Sequence, residues 1–111
     1  MLARTITVAA SCLALALSPC APAQAATGTF SYRFPTEYGG LGTGELTHPR
    51  SGVCINLPEV RDTEDSAHTP SNATDSTVTV FTGIDCTGDY YSLRPGGRAS
   101  SRLLLKSAVF S

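Results

Sequence analysis

Residues 77–82, T-V-T-V-F-T, alternate strictly, with Val78 and Val80 on one face and Thr77, Thr79 and Phe81 on the other. β-branched and aromatic residues repeating with period two read as a half-buried strand, and no helix tolerates that pattern as an apolar stripe. Gly83, Asp85 and Gly88 then bracket a chain reversal, since glycine reaches positive φ without a steric penalty. A second strand, D-Y-Y-S-L, follows, and R-P-G-G turns the chain again, Pro95 fixing φ and leaving Gly96 free to turn left-handed. A chain built around residues 72–93 is therefore built from hairpins.

The N-terminus decides which cysteines count. Arg4 precedes an apolar run over residues 6–17, too short for the ~20 residues a membrane span needs. Pro19 and Pro22 break it, and A-P-A-Q-A-A supplies small residues for an A-x-A cleavage site, the signature of a secretory leader. Cleavage after Ala25 is the first expectation and after Ala23 the second. Pro19 beside Cys20 does not suit a lipid-anchoring site. Residues 1–25 are thus read as signal peptide and 26–111 as one domain, secreted and free of the membrane once cleaved. Cys12 and Cys20 leave with the leader, so Cys54 and Cys86 remain, and two cysteines in a small exported domain imply one disulfide. The loop it closes, roughly 33 residues, is worth about 3–4 kcal/mol in the chain-entropy model. A domain this small has little core to spare and depends on such a staple.

Taken in order, residues 29–34 alternate Phe30, Tyr32 and Phe34 against Thr29, Ser31 and Arg33, a first strand with an aromatic inner face that Pro35 ends. The glycine-rich stretch after it reads as a loop or bulged turn. Residues 45–48 form a short second strand stopped by Pro49. Val53, Ile55 and Leu57 oppose Cys54 and Asn56 on a third, from which Cys54 can reach Cys86. Residues 59–72 lose all apolar periodicity and read as a long exposed loop, of the kind that is either functional or mobile. Residues 94–106 carry Arg94, Arg98, Arg102 and Lys106 with no acid, and R-L-L-L-K-S-A-V-F is read as the last strand, bulged or with a leucine partly exposed.

Several of these residues resemble a known family. Phe81, Cys86 and Gly88 match the aromatic, aromatic, glycine spacing of the βγ-crystallin Greek-key hairpin, with cysteine for the second aromatic. Leu93-Arg94-Pro95-Gly96 and Ser107-Ala108-Val109-Phe110 are similar to its closing elements. In the first half Tyr38 and Gly40 keep the spacing, but Arg33 stands where an aromatic belongs. The resemblance, to small secreted bacterial βγ-crystallin-like proteins that include metalloproteinase inhibitors and killer-toxin-like antifungal proteins, implies an all-β, βγ-crystallin-like Greek-key β-sandwich of seven or eight short strands. It also implies a calcium candidate. The family's [N/D]-[N/D]-x-x-[S/T]-S pattern falls on residues 72–77, where Asn72, Asp75 and Ser76 offer oxygens suited to a hard cation, while Ala73 and Thr77 depart from it. The alternative is an Asx-type turn leading into the strand.

The formal net charge is −1, and losing Arg4 makes it −2, so nucleic acid is a poor partner. His48 and His68, the only candidate general bases, lie in no catalytic motif, and both remaining cysteines are expected to be oxidised. The expectation is a non-enzymatic, monomeric, secreted binding module without a cofactor, resembling a peptidase inhibitor and offering its exposed loop to an extracellular protease. Glu59, Arg61, Asp62, Glu64, Asp65 and His68 are its candidate contact residues. The alternatives are a structural or stress-related crystallin-type domain with weak or lost calcium binding, or a killer-toxin-like antimicrobial effector.

Overall fold

Phe30 and Tyr32 alternate with smaller or polar residues along Gly28–Pro35 (β1), and both rings are buried. The computed structural model describes residues 24–111. The leader reading of residues 1–25 falls almost wholly outside that range. Gln24 and Ala25 lie inside it, where the Gln24 carbonyl accepts from Ser51 N at 2.9 Å and Ala25 bridges Arg50.

Seven more strands follow: Leu41–Thr47 (β2), Cys54–Asn56 (β3), Ala67–Thr74 (β4), Val78–Phe81 (β5), Tyr90–Leu93 (β6), Leu104–Leu105 (β7) and Ser107–Phe110 (β8). They form two four-stranded antiparallel sheets, ordered β2-β1-β4-β7 (sheet I) and β3-β8-β5-β6 (sheet II). The all-β class and the two-sheet architecture expected from the sequence are both present. The first four strands give sheet I three members and send β3 to sheet II. The last four give sheet II three members and send β7 to sheet I. Phe30 of β1 and Phe110 of β8 meet edge to face, with centroids 5.5 Å apart and planes at 82°, which joins the two layers. Leu57, Val60, Val78, Val80, Leu93 and Leu105 fill the core around them.

Three expectations are corrected. Glycine-rich composition predicts a loop before a short second strand at 45–48, yet β2 begins at Leu41. Gly44 lies directly across from Tyr32, and a Cβ there would come within 2.3 Å of the ring, while Gly42 stands in the same relation to Phe34 at 2.7 Å. These glycines make room for aromatic rings laid across the neighbouring strand, so here glycine marks a strand rather than ending one.

Turn-rich composition predicts one loop over 59–72, yet β4 starts at Ala67 and runs between β1 and β7. Its inward positions are Ala67, Pro70, Asn72 and Thr74. The alternation slips by one because Ser31 pairs Ser71 while Arg33 pairs His68, an extra residue accommodated by Thr69 at φ 53°. Polar inward residues and a bulge together erase the apolar period.

Finally, the C-terminal run is two strands. The chain leaves sheet I after Leu105, turns at Lys106 and enters sheet II at Ser107, which buries Leu105 and leaves Leu104 half exposed. Pro35, expected to end the first strand, is its last residue.

The Cys54–Cys86 disulfide is formed, with Cα atoms 6.0 Å apart. It ties β3 to a short 3-10 turn, Ile84–Cys86, in which Asp85 and Cys86 both adopt left-handed φ. Non-glycine residues pay for that conformation with strain unless neighbours hold them. Asn56 does so from the facing strand: its Oδ1 accepts from Asp85 N at 2.7 Å and its Nδ2 donates to Asp85 Oδ1 at 2.9 Å. Buried Ser107 accepts from Cys86 N at 2.9 Å and donates to the Gly83 carbonyl at 2.6 Å.

Candidate functional site

Between β3 and β4 the chain makes a ten-residue excursion, residues 57–66, built from consecutive turns. Leu57 N donates to the Lys106 carbonyl at 2.9 Å, Val60 N to Leu57 at 3.2 Å and Thr63 N to Val60 at 3.2 Å. Leu57 and Val60 are buried in the core, which roots the loop at its first half. Thr63 Oγ1 accepts from Asp65 N at 3.1 Å and closes the second half. The Lys106 ammonium donates to the Thr63 carbonyl. This contact joins the acidic loop to the basic C-terminal segment, through a main-chain carbonyl rather than a carboxylate.

The candidate contact residues divide by what they touch. Glu59 turns inward, and its Oε1 accepts from the buried Tyr32 hydroxyl at 2.6 Å. Burial, reinforced by that hydrogen bond and by the Glu59 charge, holds the Tyr32 hydroxyl protonated well above the ordinary tyrosine range. Arg61 and Asp62 point to solvent and form an exposed pair at 3.6 Å, a geometry that adds little stability. Glu64 and Asp65 are exposed. His68 is not on the loop at all. It lies in β4, its Nδ1 2.8 Å from Thr69 Oγ1.

Beside the loop lies a cleft of about 420 Å³, lined by Phe34, Pro35, Thr36, Glu37, Glu59, Thr63 and Asp65. Its wall at Phe34 and Pro35 is apolar, and three carboxylates face it from the β1–β2 turn and from the loop. Sequence reasoning names Glu59 and Asp65 but misses Phe34, Glu37 and Thr63. No local sequence pattern links these three to one another.

The calcium candidates are brought close together, and the Asn72 amide, one Asp75 oxygen and the Ser76 carbonyl are engaged in the fold. Asn72 is buried, its Nδ2 donating to the Ser76 carbonyl at 2.8 Å and to the Leu93 carbonyl at 2.9 Å. Its Oδ1 accepts from Thr74 N at 3.1 Å and Thr74 Oγ1 at 2.7 Å. Asp75 Oδ1 accepts from Thr27 N at 2.8 Å, and the Ser76 carbonyl receives Thr74 Oγ1 as well as Asn72. The hydrogen-bonded turn is what these residues form. Among the described residues, no group of three or more His, Cys, Asp or Glu side chains is gathered as metal ligands would be.

His48 sits just after β2, and its Nδ1 accepts from Gly28 N at 3.1 Å, a main-chain partner. Comparison with protein-family models, with curated proteins and with solved structures finds no match to this chain.

Proposed function

We propose that this chain is a secreted, non-enzymatic binding module on a βγ-crystallin-like scaffold that presents residues 57–66 to an extracellular protein, a protease being the first candidate. The carrying observation is the loop's construction. Leu57 and Val60 sit in the core, Glu59 is held by Tyr32 and the Thr63 carbonyl by Lys106, while Arg61, Asp62 and Glu64 face solvent. A segment fixed before it meets a partner loses little freedom on binding, which is how rigid scaffolds make loops into recognition surfaces. The adjoining cleft offers a partner side chain an apolar wall and carboxylates.

The scaffold assignment draws support from the strand order. In each half the fourth strand lies beside the first and the first beside the second, with the third lodged in the opposite sheet. The order resembles that of a Greek key with its third strand exchanged, which supports the reading. The resembling motifs occupy suitable places: Gly88 and Gly96 take φ of 87° and 84° at the two turns, and Ser107 secures the first of them. A disulfide also fits an oxidising compartment.

The test is titration of the oxidised protein against extracellular metallo- and serine proteases, fitting residual activity. Saturable, stoichiometric inhibition of one enzyme that weakens on Arg61→Ala or Asp62→Ala supports the reading. Rapid cleavage within 57–66, or no inhibition across the panel, overturns it.

A further inference from the structure

The lining of the cleft beside residues 57–66 selects what can enter it. Phe34 forms its apolar wall with Pro35, and the ring is held in place: its tip lies over Gly42 of β2, where a Cβ would come within 2.7 Å. Around that wall stand the carboxylates of Glu37, Glu59 and Asp65, and among the described residues no Lys, Arg or His lines the cleft. None of the three acids is in an ion pair, the one such pair among the described residues being Arg61–Asp62. Lys106, which reaches this loop from the C-terminal segment, gives its ammonium to the Thr63 carbonyl instead.

Each carboxylate is carried by a segment that is already fixed. Glu37 lies in the β1–β2 turn, where Thr36 N donates to the Gly40 carbonyl at 2.9 Å and Gly39 N to the Thr36 carbonyl at 3.1 Å. Asp65 N donates to Thr63 Oγ1 at 3.1 Å. Glu59 accepts the Tyr32 hydroxyl on Oε1, which leaves Oε2 for a ligand.

Like charges fixed around an apolar wall concentrate a negative potential, and a cation relieves it. Spacing decides the kind of cation. These acids are not gathered as they would be around one metal ion, so their charge surrounds the cleft rather than converging on a point. A planar, delocalised cation suits that spread. A guanidinium stacks its face on an aromatic ring, directs its N–H edge to carboxylates, and trails an alkyl stem that covers apolar surface. An ammonium is a compact, strongly hydrated charge and gains less from a ring and dispersed carboxylates.

We propose that the cleft is a receptor for a guanidinium group, and that its occupant is an arginine side chain of the protein that residues 57–66 contact. The stem lies along Phe34 and Pro35, and the head sits among Glu37, Glu59 and Asp65. The source of the arginine rests on the reading of residues 57–66 as a contact surface; the chemistry of the cleft does not.

Titrating the oxidised protein with n-butylguanidinium and following its amide shifts tests the chemistry. Saturable shifts at residues 34–37 and 59–65 are expected, with a dissociation constant on the order of 1–10 mM for so small a ligand. N-Butylurea, the uncharged isostere, should bind at least about fivefold more weakly. Glu37→Gln combined with Asp65→Asn, both at exposed positions, should weaken binding about threefold to tenfold and leave the remaining amide shifts in place. The blocked peptide Ac-Ala-Arg-Ala-NH2 should move the same amides, and its citrulline counterpart should not. Equal binding of the urea, shifts elsewhere on the surface, or a double variant that binds as the parent does overturns the guanidinium site. Fragment binding without peptide binding overturns the side-chain occupant and assigns the cleft to a free guanidine. A bound peptide with no protease inhibited supports the cleft and sinks only the protease reading.

Discussion

Asn72 offers the sharpest test of how the two sheets are held. Its side chain lies 1% exposed on β4 in sheet I, and one of its four hydrogen bonds reaches the Leu93 carbonyl at the end of β6 in sheet II. Replacement by alanine removes all four. The Ser76 carbonyl keeps Thr74 Oγ1 as a donor. Thr74 N is left unsatisfied, at about 1–3 kcal/mol for such a buried group, and the Leu93 carbonyl, which also faces Val78 in the ladder, loses its second donor. The expected cost is about 3–5 kcal/mol, a large share of the total stability of a domain this size. At roughly 4–8 °C per kcal/mol, the melting temperature should fall by about 12 °C or more.

Asn72→Asp adds a sign. It keeps the shape but turns two donors into acceptors facing carbonyl oxygens, so the buried carboxyl should hold its proton and its folded pKa should rise above the unfolded value. The folded state then binds the extra proton, and stability relative to the parent falls as pH rises from about 4 toward neutrality. Denaturant unfolding followed by circular dichroism at about pH 4 and pH 7 measures both effects. An alanine variant losing less than about 1 kcal/mol, or an aspartate variant equally destabilised at both pH values, would refute the reasoning.

Four further outcomes are expected. Replacing both Cys54 and Cys86 by alanine should lower stability by about 3–4 kcal/mol in denaturant unfolding, with earliest loss of amide protection in the turn at 82–89, where left-handed Asp85 and Cys86 lose their tether. Tyr32 should resist ionisation in an alkaline absorbance titration. Because its folded pKa is raised, the protein should lose stability as pH climbs above about 10, and Tyr32→Phe should remove that loss. Gly44→Ala should destabilise by about 2 kcal/mol or more, because its Cβ would meet the Tyr32 ring on the facing strand; Gly40→Ala, whose Cβ would meet only the Thr36 hydroxyl at 3.7 Å, should cost less in the same thermal melts. Millimolar calcium should leave the melting temperature within about 1 °C of its metal-free value, because the Asn72 amide is already hydrogen-bonded to the Ser76 carbonyl and the Thr74 hydroxyl.

What was legible in the sequence follows from where packing obeys simple alternation. Val78 and Val80 are buried as their spacing requires, Phe30 and Tyr32 share an inner face, and Cys54 reaches Cys86. The inward face of β4 was not legible, because Asn72 and Thr74 are buried through hydrogen bonds to one another and to the main chain rather than through hydrophobicity. Nor was β2, whose glycines are explained only by rings on the facing strand. The loop residues Arg61, Asp62 and Glu64 were recognisable as exposed from composition alone. Glu59 was not recognisable as anchored, since its partner Tyr32 lies 27 positions away and no local pattern links them.

The exchange of third strands has a kinetic consequence. Sheet II needs β3 from the first half, and its interior strand β8 comes from the last few residues. Phe110 must reach back 80 positions to close on Phe30. A chain released N-terminus first therefore cannot finish sheet I until β7 is free, or sheet II until β8 is. Contacts this distant in sequence put folding on the millisecond-to-second scale of sandwich proteins, and hairpin β1–β2 waits with its aromatic face uncovered until β8 arrives.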